Sequence, residues 1–199
     1  YPGSMVPPWL AEGIAQFMYP GADWDNWDSS RDMLLRDQVL NDRLLTWNEI
    51  NTFGKAGFGN EMVYNIGFAL SKYIASKYGS EVFEKILLSL SQPFAISIDK
   101  SIEKNLGISG QELYKQFSNT LKKRYTMLTQ SILKNEIKGE VIIDNGYSNT
   151  FPTWSDDGKS IAYISNEGND YFGQTSLYLY DLEKGKTKKI IDGAIGRPS

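Results

Sequence analysis

Near residue 138 the hydrophobic period of this chain changes, and that change bounds every fold open to it. Up to about residue 136, apolar residues recur at intervals of three and four, the spacing of buried helix faces. Past Lys138-Gly139 they fall into short β-branched or alternating runs separated by Gly-containing turns. With 199 residues, the chain has room for one domain or two small ones. The expected architecture is therefore α+β in two segments. An all-α, multi-helix part spans 1–138, and a short antiparallel sheet spans 139–199.

The helical part divides cleanly at its caps. A first helix is expected over 8–18, entered through Pro7-Pro8 and stopped at Pro20-Gly21, because proline suits the first helical position. Asp23-Trp24-Asp25-Asn26-Trp27-Asp28 resembles a calcium loop in composition only. Trp27 stands where the third ligand belongs and Asp28 where the glycine belongs, so it reads as a surface loop pinned by two tryptophans. Ser29-x-x-Asp32 opens a second helix over 30–41, and Thr46-x-x-Glu49 a short one over 47–53. Gly54, Gly57 and Gly59 match no phosphate-binding fingerprint and read as a mobile loop. Asn60 is expected to cap a long helix over 61–78 that Gly79 closes. Further helices are expected over 80–91, ended by Pro93, and through Ile98, Ile102 and Leu106 to Gly107. Ser109-x-x-Glu112 then opens a long helix with apolar positions Leu113, Phe117, Leu121, Tyr125, Leu128 and Ile132.

In the second segment, strands are expected at 140–144, 160–165, 176–181 and 187–191. Asp156-Asp157-Gly158-Lys159 and Glu183-Lys184-Gly185-Lys186 supply turns.

Two absences exclude whole classes of chemistry. There is no Cys, hence no disulfide framework and no thiolate nucleophile. There is no His, which removes Ser-His-Asp and Cys-His arrangements and any imidazole zinc site within these residues. The formal net charge of −3 leaves no basic footprint for nucleic acid. No apolar run approaches a membrane span, and no signal-peptide pattern is visible.

Against that background the first helix stands out. Trp9, Leu10, Ile14 and Phe17 give it an apolar face, and Glu12 sits among them, where an ionised carboxylate is costly unless donors or a cation meet it. Gly13 follows directly, at a cost of about 1 kcal/mol in a helix interior, which implies that something approaches the backbone closely. Glu12 is open to two readings: a functional carboxylate, or a buried acid satisfied by backbone N–H groups or by Arg31 or Arg36.

The phrase Pro8-Trp9-Leu10-x-Glu12-Gly13-x-Ala15 resembles one in the gluzincin metallopeptidases, the clan of the thermolysin-like and aminopeptidase-N-like enzymes. There a His-Glu-x-x-His helix gives two zinc ligands and the general base, and the Glu of a downstream Glu-Gly-x-Ala helix gives the third. The resemblance implies that Glu12 is that metal ligand and that zinc is the cofactor. Two imidazoles and a carboxylate leave a fourth position for the attacking water. Tyr64-Asn65-Ile66-Gly67 is similar to the Tyr-x-x-Gly of aminopeptidase-N-like enzymes, which implies that the Tyr64 hydroxyl is catalytic, donating to the oxyanion. The alternative for Tyr64 is a core tyrosine on a buried helix face. Gln16, one turn after Glu12, is a candidate to hydrogen-bond the ligand carboxylate. The helices of 60–135 resemble the C-terminal half of a peptidase MA-like domain.

Residues Pro152-Thr153-Trp154-Ser155-Asp156-Asp157-Gly158-Lys159, with the strands at 160–165 and 176–181, resemble a TolB-type (PD40, WD40-like) propeller repeat. Asp156 stands where that repeat more often has Pro. One blade cannot bury both faces alone. The other reading is a small sheet packed on the helical part. Together the resemblances imply a piece of a longer protein: a zinc peptidase domain lacking its His-Glu-x-x-His helix, fused to a first propeller blade. Peptide or protein would be the substrate, with a possible protein partner at the propeller. The piece alone is expected to hold no zinc and to hydrolyse nothing. The alternative is a non-catalytic protein-binding scaffold at the cell envelope. A periplasmic, outer-membrane-associated or secreted location follows from resemblance alone.

Overall fold

The computed structural model describes residues 6–19, 29–92, 97–170 and 173–193. The expected helix stop at Pro20-Gly21, the acidic-aromatic loop 23–28 and Pro93 lie outside them. Seven helices and then a four-stranded antiparallel sheet make up the described residues. The chain divides into two compact units, Tyr1–Glu136 and Ile137–Ser199.

In the first unit, α1 (Pro8–Met18) is entered from Pro7 with proline in its first turn. It packs most extensively on α4 (Gly59–Tyr78). Between them in sequence come α2 (Ser29–Leu40) and α3 (Trp47–Ile50). The third helix is held by a complete capping box. Thr46 accepts from the Glu49 N–H, and the Glu49 carboxylate accepts from the Thr46 N–H. The Thr46 N–H and, after it, the Thr46 hydroxyl, which also donates to Glu49 Oε2 at 2.7 Å, hold the Glu49 carboxyl below its usual range. Then follow α5 (Val82–Leu90), α6 (Ile98–Leu106) and α7 (Gly110–Lys134). Gly107 ends α6 in the left-handed conformation at φ 74°, as a helix-closing glycine should. One core joins these helices, with Trp9, Leu10, Ile50, Ile66, Leu70, Ile86, Ile102, Leu113 and Phe117 wholly or almost wholly buried.

Four local expectations are corrected here. Asn60 does not cap α4: the N-cap is Phe58, and the Asn60 carbonyl instead accepts from the N–H groups of Gly54 and Lys55, each at 3.0 Å. The glycine loop is thereby tied to the start of α4. The Ser109 hydroxyl accepts from the Glu112 N–H at 3.2 Å, but the Glu112 carboxylate takes the Gln116 amide, leaving half a capping box. The third helix ends at Ile50 rather than reaching 53. Leu128 and Ile132, spaced as core positions, are 55% and 65% exposed, because α7 runs on beyond the helices that cover its first four turns.

The second unit is a sheet of order β1-β2-β3-β4, with β1 Asn149–Trp154, β2 Ser160–Ser165, β3 Ser176–Asp181 and β4 Lys186–Ile191. The 140–144 run is no strand: Val141 is 74% exposed, and the free edge of β2 is taken by β1. β-branched composition makes a strand only where a neighbour accepts the backbone groups. β1 escaped the periodicity because it carries Pro152 and a bulge between Thr150 and Thr153, with Phe151 at φ 54°. On an edge strand the missing proline N–H leaves no ladder bond broken. β2 and β3 pair in unbroken register from Ser160↔Asp181 to Ser165↔Ser176. That register stacks the rings of Tyr163 and Tyr178 at 5.5 Å.

Candidate functional site

The glycine after Glu12 has a structural cause. A Cβ on Gly13 would lie 2.3 Å from the Gly67 carbonyl oxygen, and one on Gly67 would lie 2.4 Å from the Trp9 carbonyl oxygen. Real Cβ atoms do not approach so closely, so α1 and α4 meet main chain against main chain. The body that nears the α1 backbone is therefore α4 itself. On its other side α1 is pinned by Trp9, whose indole N–H donates to Asn51 Oδ1 at 3.0 Å. Asn51 in turn donates to the Trp47 carbonyl at 2.8 Å, and the two indoles lie 5.6 Å apart.

This crossing joins the two sequence patterns singled out above. Gly13 belongs to the Glu-Gly phrase and Gly67 to the Tyr-x-x-Gly phrase, so Glu12 and Tyr64 are carried by the two helices that touch. Glu12 itself is half-exposed, not buried as the helical pattern suggested. It lies at the margin of the α1 buried face, partly open to solvent. No cation pairs with it among the described residues, and Arg36 binds Asp32 at 2.8 Å instead.

Tyr64 is half-buried, with its ring stacked on Phe53 at 5.6 Å and 29°. Burial pushes its phenol above the ordinary tyrosine range. The Glu12 carboxylate, and after it that of Glu61, adds to the rise by disfavouring a phenolate nearby. The result is a phenol held protonated in the field of two carboxylates, Glu12 and Glu61.

Gln16 makes no hydrogen bond to Glu12; its Oε1 is buried without a partner among the described residues. Ser71 Oγ is likewise buried and unpartnered, 2.7 Å from where a Gly13 Cβ would sit. Ser71 Oγ is thus an unfilled polar atom at the crossing, in a protein interior where such atoms are normally paired.

Phe53 was not anticipated as part of this site. Its only signal was an aromatic residue at the head of a glycine cluster, which sequence alone ties to nothing. Asn51 and Ser71 carried no signal.

The donor set does not by itself fit zinc. Among the described residues no three of His, Cys, Asp and Glu gather closely enough to hold a metal. Glu12 is a single carboxylate, whereas a catalytic zinc needs three protein ligands. None of the described helices is long and apolar enough to cross a membrane. No family model, curated protein or solved structure matches the chain.

Proposed function

We propose that the helical unit is the carboxylate-and-phenol half of a gluzincin-type metallopeptidase site, and that the sheet is a TolB-like blade serving substrate or partner binding. The observation that carries this is the Gly13–Gly67 contact. Two phrases some fifty positions apart in the chain meet backbone to backbone, with the Tyr64 phenol in the field of Glu12.

In this reading Glu12 is the one zinc ligand the chain supplies, and imidazole ligands come from residues outside it. Tyr64 acts without the metal's help in one respect. Its O–H, like that of any tyrosine near neutral pH, is intact and can donate to an oxyanion. A half-exposed Glu12 suits a ligand that must face a cleft. On β1, Phe151 and Trp154 are exposed aromatic surface of the kind that binds partners or neighbouring blades.

The test uses the gene upstream of this chain and the longer protein it encodes. A His-Glu-x-x-His helix there, with zinc lost on Glu12→Ala by metal analysis, is the expected result. Tyr64→Phe should retain zinc and lower kcat by about 10²-fold or more. Absence of that helix, or unchanged zinc in Glu12→Ala, returns the domain to the non-catalytic scaffold.

A further inference from the structure

Elsewhere in the helical unit, residues of α2, α4 and α7 line a groove of about 510 Å³. That volume is within the range of small-molecule sites. Leu35, Phe117 and Leu121, all buried, form its apolar floor. The polar groups along it decide what it can take.

Three of its four hydroxyls donate within the protein, while that of Tyr73 accepts from Lys77 at 3.5 Å. Ser76 donates to the Tyr73 carbonyl at 2.9 Å and Thr120 to the Gln116 carbonyl at 2.8 Å. The Tyr125 phenol donates to Asp32 Oδ1 at 2.9 Å, and the charge of Asp32 is met by Arg36. Two strong donors remain at the rim, Lys72 and Arg124. Neither forms an ion pair among the described residues. Each rests on an aromatic face: the Lys72 ammonium lies 5.4 Å from the Phe68 ring centre, and the Arg124 guanidinium 5.7 Å from that of Tyr125. Such cation–π seats hold the charges without neutralising them. A ligand that satisfies this groove must be apolar along its body and carry acceptors, best an anion, for the rim cations.

We propose that the α2–α4–α7 groove binds a small amphipathic carboxylate, its apolar body on Leu35, Phe117 and Leu121 and its carboxylate between Lys72 and Arg124. The site is separate from the Glu12–Tyr64 crossing and does not depend on the peptidase reading.

The experiment is calorimetric titration of the whole chain with decanoate, and with methyl decanoate as the uncharged match. Saturable one-to-one binding of decanoate is expected. It should be at least tenfold weaker for methyl decanoate and for a K72Q/R124Q double variant, whose exposed side chains can change without disturbing the core. Backbone amide shifts should localise the ligand to α4 and α7. Equal binding of acid and ester, unchanged affinity in the double variant, shifts centred elsewhere, or no saturation below about 1 mM each overturns the proposal.

Discussion

Trp9 and Trp154 are the same side chain in opposite circumstances. The first is wholly buried at the α1–α3–α4 junction, its N–H given to Asn51, while the second stands 61% exposed on β1 of the sheet. The contrast extends to the units that hold them. The helical unit is organised from its interior, where side chains of six or more elements share one core. In the sheet, β4 is exposed along its full length, and burial is concentrated on β2 and β3.

At its turns and strand ends the sheet carries side-chain hydrogen bonds in addition to the backbone ladders. Asp157 accepts from Ser155 Oγ and the Lys159 N–H, Asp181 from the Lys184 N–H, and Asp192 from Ser176 Oγ. One unit rests on what it excludes from water; the other adds to its ladders the bonds made where its chain reverses.

The largest expected effect separates the two tryptophans. Trp9→Ala should cost about 4 kcal/mol in urea unfolding followed by helical circular dichroism, and Trp154→Ala should fall within about 0.5 kcal/mol. Comparable losses at both would erase the contrast.

Next comes Gly67→Ala, expected to cost about 3 kcal/mol through overpacking against the Trp9 carbonyl. Hydrogen exchange of β2 and β3 amides should be unchanged in that variant. Faster exchange there would mean that the two units share stability.

A pH series sharpens the comparison from both ends. In the sheet the carboxyls of Asp157, Asp181 and Asp192 are held below their ordinary values by the side chains they bond: Ser155, Lys184 and Lys189 respectively. A depressed carboxyl contributes stability above its unfolded pKa of about 3.9, and that contribution is lost as pH falls through the folded value. Acid should therefore loosen the sheet's turns first, since Glu49 is the one such group resolved in the helical unit among the described residues.

Alkali loads the helical unit instead. Burial, above all, raises the phenols of Tyr64, Tyr114 and Tyr125, against Tyr163 alone in the sheet. A raised phenol stabilises below its unfolded pKa of about 10, and the benefit disappears as pH climbs through the folded value. Amide exchange measured near pH 3, with circular dichroism at high pH, reads both arms. Uniform loosening in acid would count against the turns as a support of the sheet.

The smallest effect is spectroscopic. Glu12→Gln should lower the Tyr64 phenol toward its ordinary value, read as the ultraviolet ionisation difference against Tyr64→Phe. An unmoved titration would remove Glu12 from its surroundings.

Most helix bounds were legible because capping residues and glycine stops act locally. Pro8, Thr46, Gly79 and Gly107 mark ends that the structure keeps. What failed were matters decided by distant groups. Whether Asn60 caps a helix or ties a loop depends on where Gly54 and Lys55 lie. Whether 140–144 is a strand depends on who holds the edge of β2, and Leu128 is core only if something reaches that far along α7. At the candidate site the residue types were visible, and Gly13 announced a close approach. That its counterpart is Gly67 was beyond reach, because a helix pair fifty residues apart leaves no local trace. Glu12 was misjudged as buried since a helical wheel places a residue on a face but does not say where the face ends.

The contact of α1 with α4 has one more consequence. A spacing maintained by side chains drifts whenever those side chains are exchanged. Where peptide rests on peptide there is no intermediate layer to thin or thicken, so the separation of the two helices is a fixed gauge. Residues all around the crossing can vary while Glu12 and Tyr64 keep their mutual bearing, and only a change at one of two glycines can reset it.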